Sequence, residues 1–249
     1  MIRALHIRKA SCLHLGVLSD AAGKHPTFLW KGYGMKEKTD CYIFGAGEHY
    51  NPPPSPSPPD FVIAADGGYA YLERSGIVPN LVVGDFDSLP APPPGSANTI
   101  IVLPQEKDDT DMVAALREGW NRGFRIFHIY GGTGGRLDHT LANIQCVADL
   151  ACRGGRGYLH DRDTVITAIR NTSIAFPANT HGMVSVFSHS EVSTGVYERG
   201  LKYPLTDATL RNTYPIGVSN EFTGAPSSIS VVTGTLIITF PKNIQEVQT

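Results

Sequence analysis

Short apolar runs set the pattern of the first two thirds of this chain, and polar or glycine-rich segments separate them. The runs have three to five residues and are rich in Val, Ile and Phe. Runs of this length, bounded by turn residues, are typical of buried β-strands. The predicted strands are 41–44, 61–65, 81–83, 100–103 and 126–130.

Two longer segments between these runs have the pattern of helices. Residues 110–120 follow an acidic stretch that can cap a helix, and residues 138–153 carry apolar side chains at helical spacing before Gly154. A cap and a periodic apolar face are the usual sequence signals of a helix. Buried strands that alternate with helices predict an α/β domain with a mostly parallel, Rossmann-like sheet.

The pattern changes near residue 160, where helical periodicity gives way to runs rich in Val, Ile, Thr and Ser. These runs predict further strands at 164–169, 183–188, 229–232 and 235–240. A series of strands without helices is typical of an antiparallel sandwich. The sequence therefore predicts an extension with little structure at 1–34, an α/β domain at 35–160 and an all-β sandwich domain at 161–249.

Composition agrees with a folded chain and argues against several classes of protein. The 249 residues are 41% hydrophobic, which is enough apolar material for a core and excludes wholesale disorder. The formal net charge of −2 gives no general reason to expect nucleic acid or an anionic membrane as a partner. No apolar run approaches the roughly 20 residues that span a bilayer. Two proline runs, at 52–59 and 90–94, predict exposed loops.

The cysteines and the amino-terminal region favour a cytoplasmic protein. The four cysteines, Cys12, Cys41, Cys146 and Cys152, lack the spacing of a metal site. They fit structural thiols in a reducing cytosol better than a disulfide framework. The first 34 residues contain only a short apolar patch, whereas a cleaved signal peptide needs a longer one.

Half of the 14 aspartates fall within one stretch of 73 residues. The rest of the chain is nearly balanced in charge, so this local excess marks where function should be sought. The seven are Asp66, Asp85, Asp87, Asp108, Asp109, Asp111 and Asp138.

Two of the candidate motifs follow predicted strands directly. Asp66, Gly67 and Gly68 end the second strand, where glycines allow a nucleotide to approach the backbone; a tight turn with a capping Asp explains them equally well. Asp85 and Asp87 follow the third strand, and alternate residues of an extended segment lie on the same side. Their carboxylates can therefore converge on one hard cation, although an Asp-rich turn is the alternative.

A third motif, 104–111, lies between a strand and a helix. Either Thr110 or Asp109 can cap the helix, Lys107 offers a compact positive charge to phosphate, and Asp111 adds a third carboxylate. A solvated, charged helix cap is the simpler alternative. Several acids this close repel one another unless a cation sits among them.

The fourth motif is a glycine-rich segment, 131–135, followed by Arg136 and the helix that contains Asn143. Its backbone N–H groups and the helix N-terminus can bind phosphate oxygens, and Arg136 adds a planar donor fork. A flexible turn is the alternative.

All four motifs follow apolar strands, so we expect them at one sheet edge. A nucleoside triphosphate bound there would place its negative charges among several carboxylates, so this interpretation requires bound Mg²⁺.

Taken together, the motifs resemble those of the thiamine pyrophosphokinase family, in that family's usual order. The resemblance spans about residues 36–241, and the segments that carry it are 66–68, 84–88, 107–111, 134–139 with Asn143, 200–205 and 217–221. It implies an ATP- and Mg²⁺-binding α/β catalytic domain, a β-sandwich for thiamine binding and dimerisation, and a homodimer with thiamine sites between subunits. The implied reaction transfers the diphosphoryl group of ATP to the hydroxyl of thiamine and yields thiamine diphosphate and AMP.

The same resemblance implies roles for individual residues. The implied metal ligands are Asp85, Asp87 and Asp111, which form the catalytic group together with Arg136 and Asp138. The implied nucleotide-binding residues are Asp66, Gly67, Gly68, Gln105, Lys107, Thr110, Gly134, Gly135, Arg136 and Asn143. The implied thiamine-binding residues are Tyr203, Ser219 and Asn220, with Tyr203 offering an aromatic face to the thiazolium cation.

Three other functions compete with this interpretation. In an aspartyl-phosphate phosphatase Asp85 would be a nucleophile, but the glycine-rich loop would then have no role. A non-catalytic nucleotide or thiamine sensor would need the binding groups but no metal cluster. A dinucleotide oxidoreductase is suggested by Gly45 and Gly47, but Tyr50 occupies the place of the third glycine of that fingerprint.

Overall fold

One ten-stranded sheet runs through most of the computed structural model, which describes residues 40–50, 52, 54–85, 99–102, 104 and 108–244. These residues form fourteen strands and three helices. The helices are α1 (Gly68–Arg74), α2 (Asp111–Asn121) and α3 (Leu137–Cys152). The strands of the first half are β1 (Cys41–Phe44), β2 (Phe61–Ala65), β3 (Leu81–Gly84), β4 (Thr99–Val102), β5 (Ile126–Tyr130) and β6 (Arg156–His160). Those of the second half are β7 (Thr164–Arg170), β8 (Ser173–Phe176), β9 (His181–Ser188), β10 (Val192–Arg199), β11 (Leu205–Arg211), β12 (Gly217–Thr223), β13 (Ser227–Thr233) and β14 (Thr235–Pro241).

The large sheet changes character at β6. Its order is β12-β9-β14-β7-β6-β5-β1-β2-β3-β4, and the six strands from β6 to β4 are parallel. From β6 onward each neighbour is antiparallel. The chain proceeds from β1 to β4 on one side of β1 and places β5 and β6 on the other. The sheet therefore has a switch point between β1 and β5, where open α/β sheets form their ligand crevice.

Helices cover both faces of the parallel half. Cys41 and Ile43 of β1 face α2 and α3 and are fully buried, because successive side chains of a strand alternate between faces. Phe44 faces the opposite side and packs in a smaller cluster with Leu72 of α1. This three-layer arrangement confirms the predicted α/β class.

The second half is an antiparallel sandwich, which also confirms the prediction. A four-stranded sheet, in the order β11-β10-β13-β8, packs against the end of the large sheet formed by β12, β9, β14 and β7. Fully buried residues from both sheets, among them Ile174, Val186, Ile229 and Leu236, make its core. Because one sheet runs through both halves, the crevice and the sandwich are fixed to the same frame.

Most predicted elements occur within one or two residues of their predicted limits. The prediction missed α1, β6, β8, β10, β11 and β12. It was wrong about the burial of 100–103: β4 is the edge of the sheet, Val102 is 67% exposed, and Leu103 lies outside the described residues.

The structure bears only in part on four other expectations. The extension at 1–34 lies outside the described residues, and the domain boundary near residue 160 stays a prediction. The three cysteines within the described ranges, Cys41, Cys146 and Cys152, are free thiols. In the same part of the chain, no helix is long and apolar enough to cross a membrane.

Candidate active site

A crevice of about 320 Å³ opens at the switch point, at the carboxyl ends of the parallel strands. The loops after β1, β2 and β5 and the first turns of α2 and α3 form its walls. Its lining residues are Gly45, Ala46, Gly47, Ala65, Asp66, Thr110, Asp111, Met112, Gly131, Gly132, Gly134, Gly135, Arg136, His139 and Asn143. Three of the four predicted motifs therefore contribute to one cavity.

The loops after β1 and β5 run side by side and form the floor of this crevice. The Gly45 N–H donates to the Tyr130 carbonyl at 2.8 Å, and the Gly47 N–H donates to the Gly131 carbonyl at 2.7 Å. A β-carbon at Gly45 would lie 2.7 Å from the Gly131 oxygen. The sequence interpretation tested these glycines only against the dinucleotide fingerprint and so missed their place in the site.

Glycines in the crevice and beside it serve two different purposes. A β-carbon at Gly68 would overlap the Phe44 carbonyl, so this glycine allows α1 to pack on β1. Gly135 has a φ of +64°, and a β-carbon there would meet no atom within 4 Å. Because Gly135 faces open space in a left-handed conformation, its backbone is accessible to a ligand.

Three of the predicted aspartates lie at the carboxyl end of the parallel sheet, as the aspartate pattern predicts. Asp66 and Asp111 line the crevice from β2 and α2. Asp66 has a φ of +46°, a conformation that Asp tolerates better than most residues. Asp85 follows β3, the parallel neighbour of β2, and a β-carbon on the preceding Gly84 would lie 3.2 Å from the Asp66 Cα. Asp66 and Asp85 thus follow adjacent parallel strands, and Asp111 shares the crevice with Asp66.

Thr110 caps α2, and Asp109 points to a different partner. The Thr110 hydroxyl oxygen accepts a hydrogen bond from the Val113 N–H at 3.3 Å. Asp109 instead forms an ion pair with Arg117 on the outside of α2. Of the two predicted capping residues, Thr110 is therefore the one that caps α2. Asp111 follows it in the first turn of the helix and lies at the crevice.

Arg136 and Asp138 form a two-point contact at the start of α3. The guanidinium Nε and Nη2 atoms donate to the carboxylate at 3.1 and 2.5 Å. These hydrogen bonds lower the pKa of Asp138 and raise the pKa of Arg136. Both side chains are exposed, and Arg136 lines the crevice. A guanidinium has five N–H groups, so Arg136 keeps donors for an anionic ligand while it contacts Asp138.

Buried hydrogen bonds fix the glycine-rich loop in place. The Asn143 amide on α3 donates to the Gly132 carbonyl at 2.7 Å. The Thr133 hydroxyl donates to Asp161, beyond β6, at 2.7 Å. Both Asn143 and Thr133 are buried. Asn143, predicted to bind nucleotide, therefore also holds the loop that carries the accessible backbone of Gly135.

The remaining predicted residues of this half fall into two groups. Gly67, Gly68, Asp85 and Asp138 are described but do not line the crevice as it stands. Asp87, Gln105 and Lys107 lie outside the described residues. His139, which follows Asp138 in the first turn of α3, also lines the crevice.

The described residues contain no group of three acidic, histidine or cysteine side chains that could hold a metal ion. Asp87, one of the three implied ligands, is not among them. Asp66 and Asp111 line the crevice and Asp85 follows the adjacent strand, and all three are carboxylates, the ligand type that Mg²⁺ prefers. The chemistry of this edge therefore fits a hard cation.

A second cavity, of about 210 Å³, lies in the sandwich half between β10, β11 and β12. All three residues predicted to bind thiamine line it. Its lining residues are Glu198, Tyr203, Leu205, Ile216, Gly217, Val218, Ser219 and Asn220. Tyr203 is 60% exposed and is not part of the sandwich core, and the Lys202 ammonium lies 5.7 Å from its ring centroid.

A bulge in β12 shapes one wall of the second cavity. The pairing of β12 with β9 shifts register between Gly217 and Asn220. Within that bulge Ser219 has a φ of +63°, and its N–H donates to the Ser185 hydroxyl at 3.1 Å. A strained, non-glycine backbone in a β-bulge is a common feature of binding sites.

The Asn220 side chain clamps the segment that carries Tyr203. Its Oδ1 accepts from the Tyr203 N–H at 3.0 Å and the Glu221 N–H at 2.9 Å. Its Nδ2 donates to the Tyr203 carbonyl and to Glu198 Oε2, both at 2.7 Å. Because an amide offers two donor and two acceptor positions, all of the hydrogen-bonding capacity of Asn220 is used within the chain.

The crevice and the second cavity are far apart in one chain. Five or six inter-strand intervals of the large sheet separate β12 from β5 and β1. At about 4.8 Å per interval, the distance along the sheet is roughly 24–29 Å. A reaction between groups bound at the two places requires them to approach within about 3–3.5 Å.

Two family models match the chain, one on each half. The catalytic domain of thiamin pyrophosphokinase matches residues 57–154, and the vitamin B1 binding domain of thiamin pyrophosphokinase matches residues 171–238. The first match contains most of the crevice, and the second contains the whole second cavity.

Similar proteins agree with the family matches. A thiamine pyrophosphokinase from Bacillus subtilis is 29% identical over 188 residues, which cover 71% of this chain and 85% of the relative. The crystal structure of the Bacillus subtilis enzyme superposes with a TM-score of 0.72 and 26% identity, over 83% of this chain and 100% of that one. The thiamin pyrophosphokinase of Candida albicans shares only the fold, with a TM-score of 0.64 and 14% identity over 84% of this chain and 90% of that one.

Proposed function

The chain belongs to the thiamine pyrophosphokinase family, and we propose that its crevice and second cavity bind ATP and thiamine in different copies of the chain. The reaction is the transfer of the diphosphoryl group of ATP to thiamine. The thiamine hydroxyl oxygen bonds to the β-phosphorus and loses its proton. The bond from that phosphorus to the oxygen of the α-phosphate breaks, and AMP leaves with this oxygen.

The observation that carries this assignment is the convergence of phosphate-binding features on one crevice. A β-carbon on Gly135 would face open space, α3 begins two residues later at Leu137, and Arg136 lines the crevice. The unpaired N–H groups of a helix start and a guanidinium are both groups that bind phosphate oxygens. In this proposal Arg136 balances charge on the polyphosphate, while Asn143 and Thr133 hold the loop in register.

We assign the carboxylates to the metal. Asp85, Asp87 and Asp111 would hold Mg²⁺, which supplies charge neutralisation for the phosphates of ATP when it is bound. The placement of Asp66, Asp85 and Asp111 on one sheet edge supports this assignment. Asp138 would then orient Arg136 through the two-point contact between their side chains.

The second cavity suits thiamine because of its aromatic wall and its rigidity. Tyr203 offers an exposed ring face to the thiazolium cation, an interaction worth about 0.5–2 kcal/mol. The Asn220 clamp fixes the backbone of Tyr203. Ser219 provides a hydroxyl at the bulge that lines the cavity.

The distance between the two cavities supports a homodimer. A thiamine molecule in the second cavity cannot reach a nucleotide roughly 24–29 Å away along the sheet of the same chain. A second copy that brings its cavity to the crevice of the first removes this difficulty, and a two-fold dimer does so at both sites. We also propose that the reaction takes place in the cytoplasm, which agrees with the free thiols at Cys41, Cys146 and Cys152.

Product analysis tests the proposed reaction. Purified protein incubated with ATP, Mg²⁺ and thiamine should release AMP and thiamine diphosphate in equal amounts. Release of inorganic phosphate without AMP would instead indicate a phosphatase, and binding without turnover would indicate a sensor. The family matches favour neither of these alternatives.

A further inference from the structure

Glu198 is the most deeply buried polar residue of the second cavity. It lies on β10, its residue surface is fully inaccessible, and its side chain contributes to the cavity wall. Burial raises the pKa of the Glu198 carboxyl, and the hydrogen bond from Asn220 opposes that rise. A buried carboxyl group is costly unless its oxygens are hydrogen-bonded, so its presence in this wall requires an explanation.

One of the two Glu198 oxygens has such a bond and the other does not. Oε2 accepts from Asn220 at 2.7 Å. Oε1 is inaccessible to water and has no hydrogen-bond partner among the described residues. Glu198 lines the cavity, so a ligand that fills the cavity can supply the hydrogen-bond donor that Oε1 lacks, while Oε2 keeps its bond from Asn220.

The neighbouring polar side chain cannot serve a ligand in its place. Asn220 uses both of its donors and both of its acceptor positions within the chain. A ligand that reaches the base of the cavity therefore finds its unsatisfied polar atom on Glu198. Asn220 is a positioning residue, because it orients both Glu198 and the segment that carries Tyr203.

The chemistry of the reaction decides which end of thiamine meets Glu198. The hydroxyethyl group is attached to the thiazolium ring and must leave the cavity to reach the β-phosphorus of ATP. The opposite end, the aminopyrimidine ring, therefore enters deepest. This ring carries an exocyclic amino group at position 4, which is a hydrogen-bond donor.

We propose that Glu198 is a specificity-determining residue that accepts a hydrogen bond from the 4-amino group of thiamine. This inference rests on the proposed function, because it takes the second cavity to be the thiamine site. Thiamine then satisfies the unpartnered Glu198 oxygen, and a ligand without the amino group leaves it unsatisfied. Sites that hydrogen-bond a substrate group reject analogues lacking that group far better than apolar sites do.

The test is a double-mutant cycle between residue 198 and the amino group of the ligand. Calorimetry without ATP measures the Kd of thiamine and of its 4-deamino analogue, in which hydrogen replaces the amino group. Wild-type protein should bind thiamine on the order of tenfold to a hundredfold more tightly than the analogue. In Glu198→Gln the amide oxygen still accepts from Asn220, but a donor faces the ligand, so the two Kd values should become nearly equal.

Glu221→Gln is the matched control. Glu221 is the next residue after Asn220, but its carboxylate pairs with Lys202 at 2.7 Å on the surface and does not line the cavity. This variant should keep the wild-type ratio of the two Kd values. The comparison separates the loss of the cavity carboxyl from the loss of a negative charge nearby.

Two results would overturn the role of Glu198. One is equal binding of thiamine and its analogue by wild-type protein, a measurement that does not depend on whether the variant folds. The other is a loss of affinity in Glu198→Gln by the same factor for both ligands, which is the outcome of a purely structural role. Failure of the proposed function has a different signature, because wild-type protein would then release no AMP from ATP and thiamine.

Discussion

The crevice and the second cavity are built from different parts of the polypeptide. Backbone dominates the crevice: it is lined by glycines, helix starts and the ends of parallel strands. Side chains dominate the second cavity, where Glu198, Tyr203 and Asn220 depend on one another across three segments of chain. Anionic phosphates suit the first construction, and a cationic ring system suits the second. The contrast also predicts which substitutions each site tolerates. A site built from backbone is sensitive to substitutions that add volume, and a site built from side chains is sensitive to substitutions that remove contacts.

The largest effect is expected from a carboxylate of the crevice. Asp111→Asn should lower kcat on the order of 10²–10³-fold, because in our proposal it removes one of the carboxylates that would hold Mg²⁺. Thiamine binding in the absence of ATP should change little, since Asp111 does not line the second cavity. Steady-state kinetics and calorimetry with thiamine measure the two quantities.

Asp109→Asn is the control for Asp111→Asn. Asp109 is of the same residue type two positions earlier, but it pairs with Arg117 on the outer side of α2. Its removal should leave kcat close to wild type. Equal losses in both variants would mean that the acidic stretch acts through general charge and not through the crevice.

The next largest effect tests the role of backbone packing beside the crevice. Gly68→Ala should lower the free energy of unfolding by about 3 kcal/mol or more, because the new β-carbon overlaps the Phe44 carbonyl. Gly135→Ala should cost only about 1–2 kcal/mol, the price of a left-handed conformation in open space. Urea denaturation measures both values, and the reverse order would contradict the distinction between packing and ligand-facing glycines.

A smaller effect is expected at the hydrogen bond that holds the glycine-rich loop. Asn143→Ala leaves the buried Gly132 carbonyl without its donor and should destabilise the protein by about 1–3 kcal/mol. It should also raise the KM for ATP, because the loop loses its fixed position. Gln145→Ala, on the exposed side of the same helix, should change stability by no more than about 0.5 kcal/mol. An unchanged KM for ATP in Asn143→Ala would show that the position of the loop does not affect nucleotide binding.

The smallest of these effects belongs to the aromatic wall of the second cavity. Tyr203→Leu should raise the KM for thiamine roughly tenfold, through loss of the ring face, and leave the KM for ATP unchanged. Tyr214→Leu replaces another exposed tyrosine that does not line the cavity and should change neither. A rise in the KM for ATP in Tyr203→Leu would show that Tyr203 also affects the binding of ATP, contrary to this assignment.

The same contrast explains what the sequence could reveal. The crevice was predictable because each of its parts is a short, continuous stretch of sequence. In each stretch an apolar strand is followed by glycine or Asp and then by a helix. Asp66, Asp111 and Arg136 were placed correctly at one sheet edge for this reason. The sequence did not show that Asn143 holds the loop through Gly132, because that contact depends on how α3 crosses the sheet.

The sandwich half was less accessible to sequence reasoning. Its strand β10 is interrupted by Gly195, with a φ of +62°, and β12 by the bulge at Ser219, so neither shows regular alternation. No sequence pattern indicated a role for Glu198, because its hydrogen-bond partner Asn220 lies on another strand, 22 residues further along the chain. The helix α1 was missed because it has only seven residues and begins with glycine.

The central claim is that each active site combines the crevice of one chain with the second cavity of another. Two inactive variants test it most directly: Asp111→Asn disables the crevice, and Val218→Trp places a large ring on the wall of the second cavity. Co-expression with two different tags isolates the heterodimer. In that species one site combines both defects and the other is intact, so about half of the wild-type activity should return. Activity no higher than that of the two parent variants would contradict a shared site.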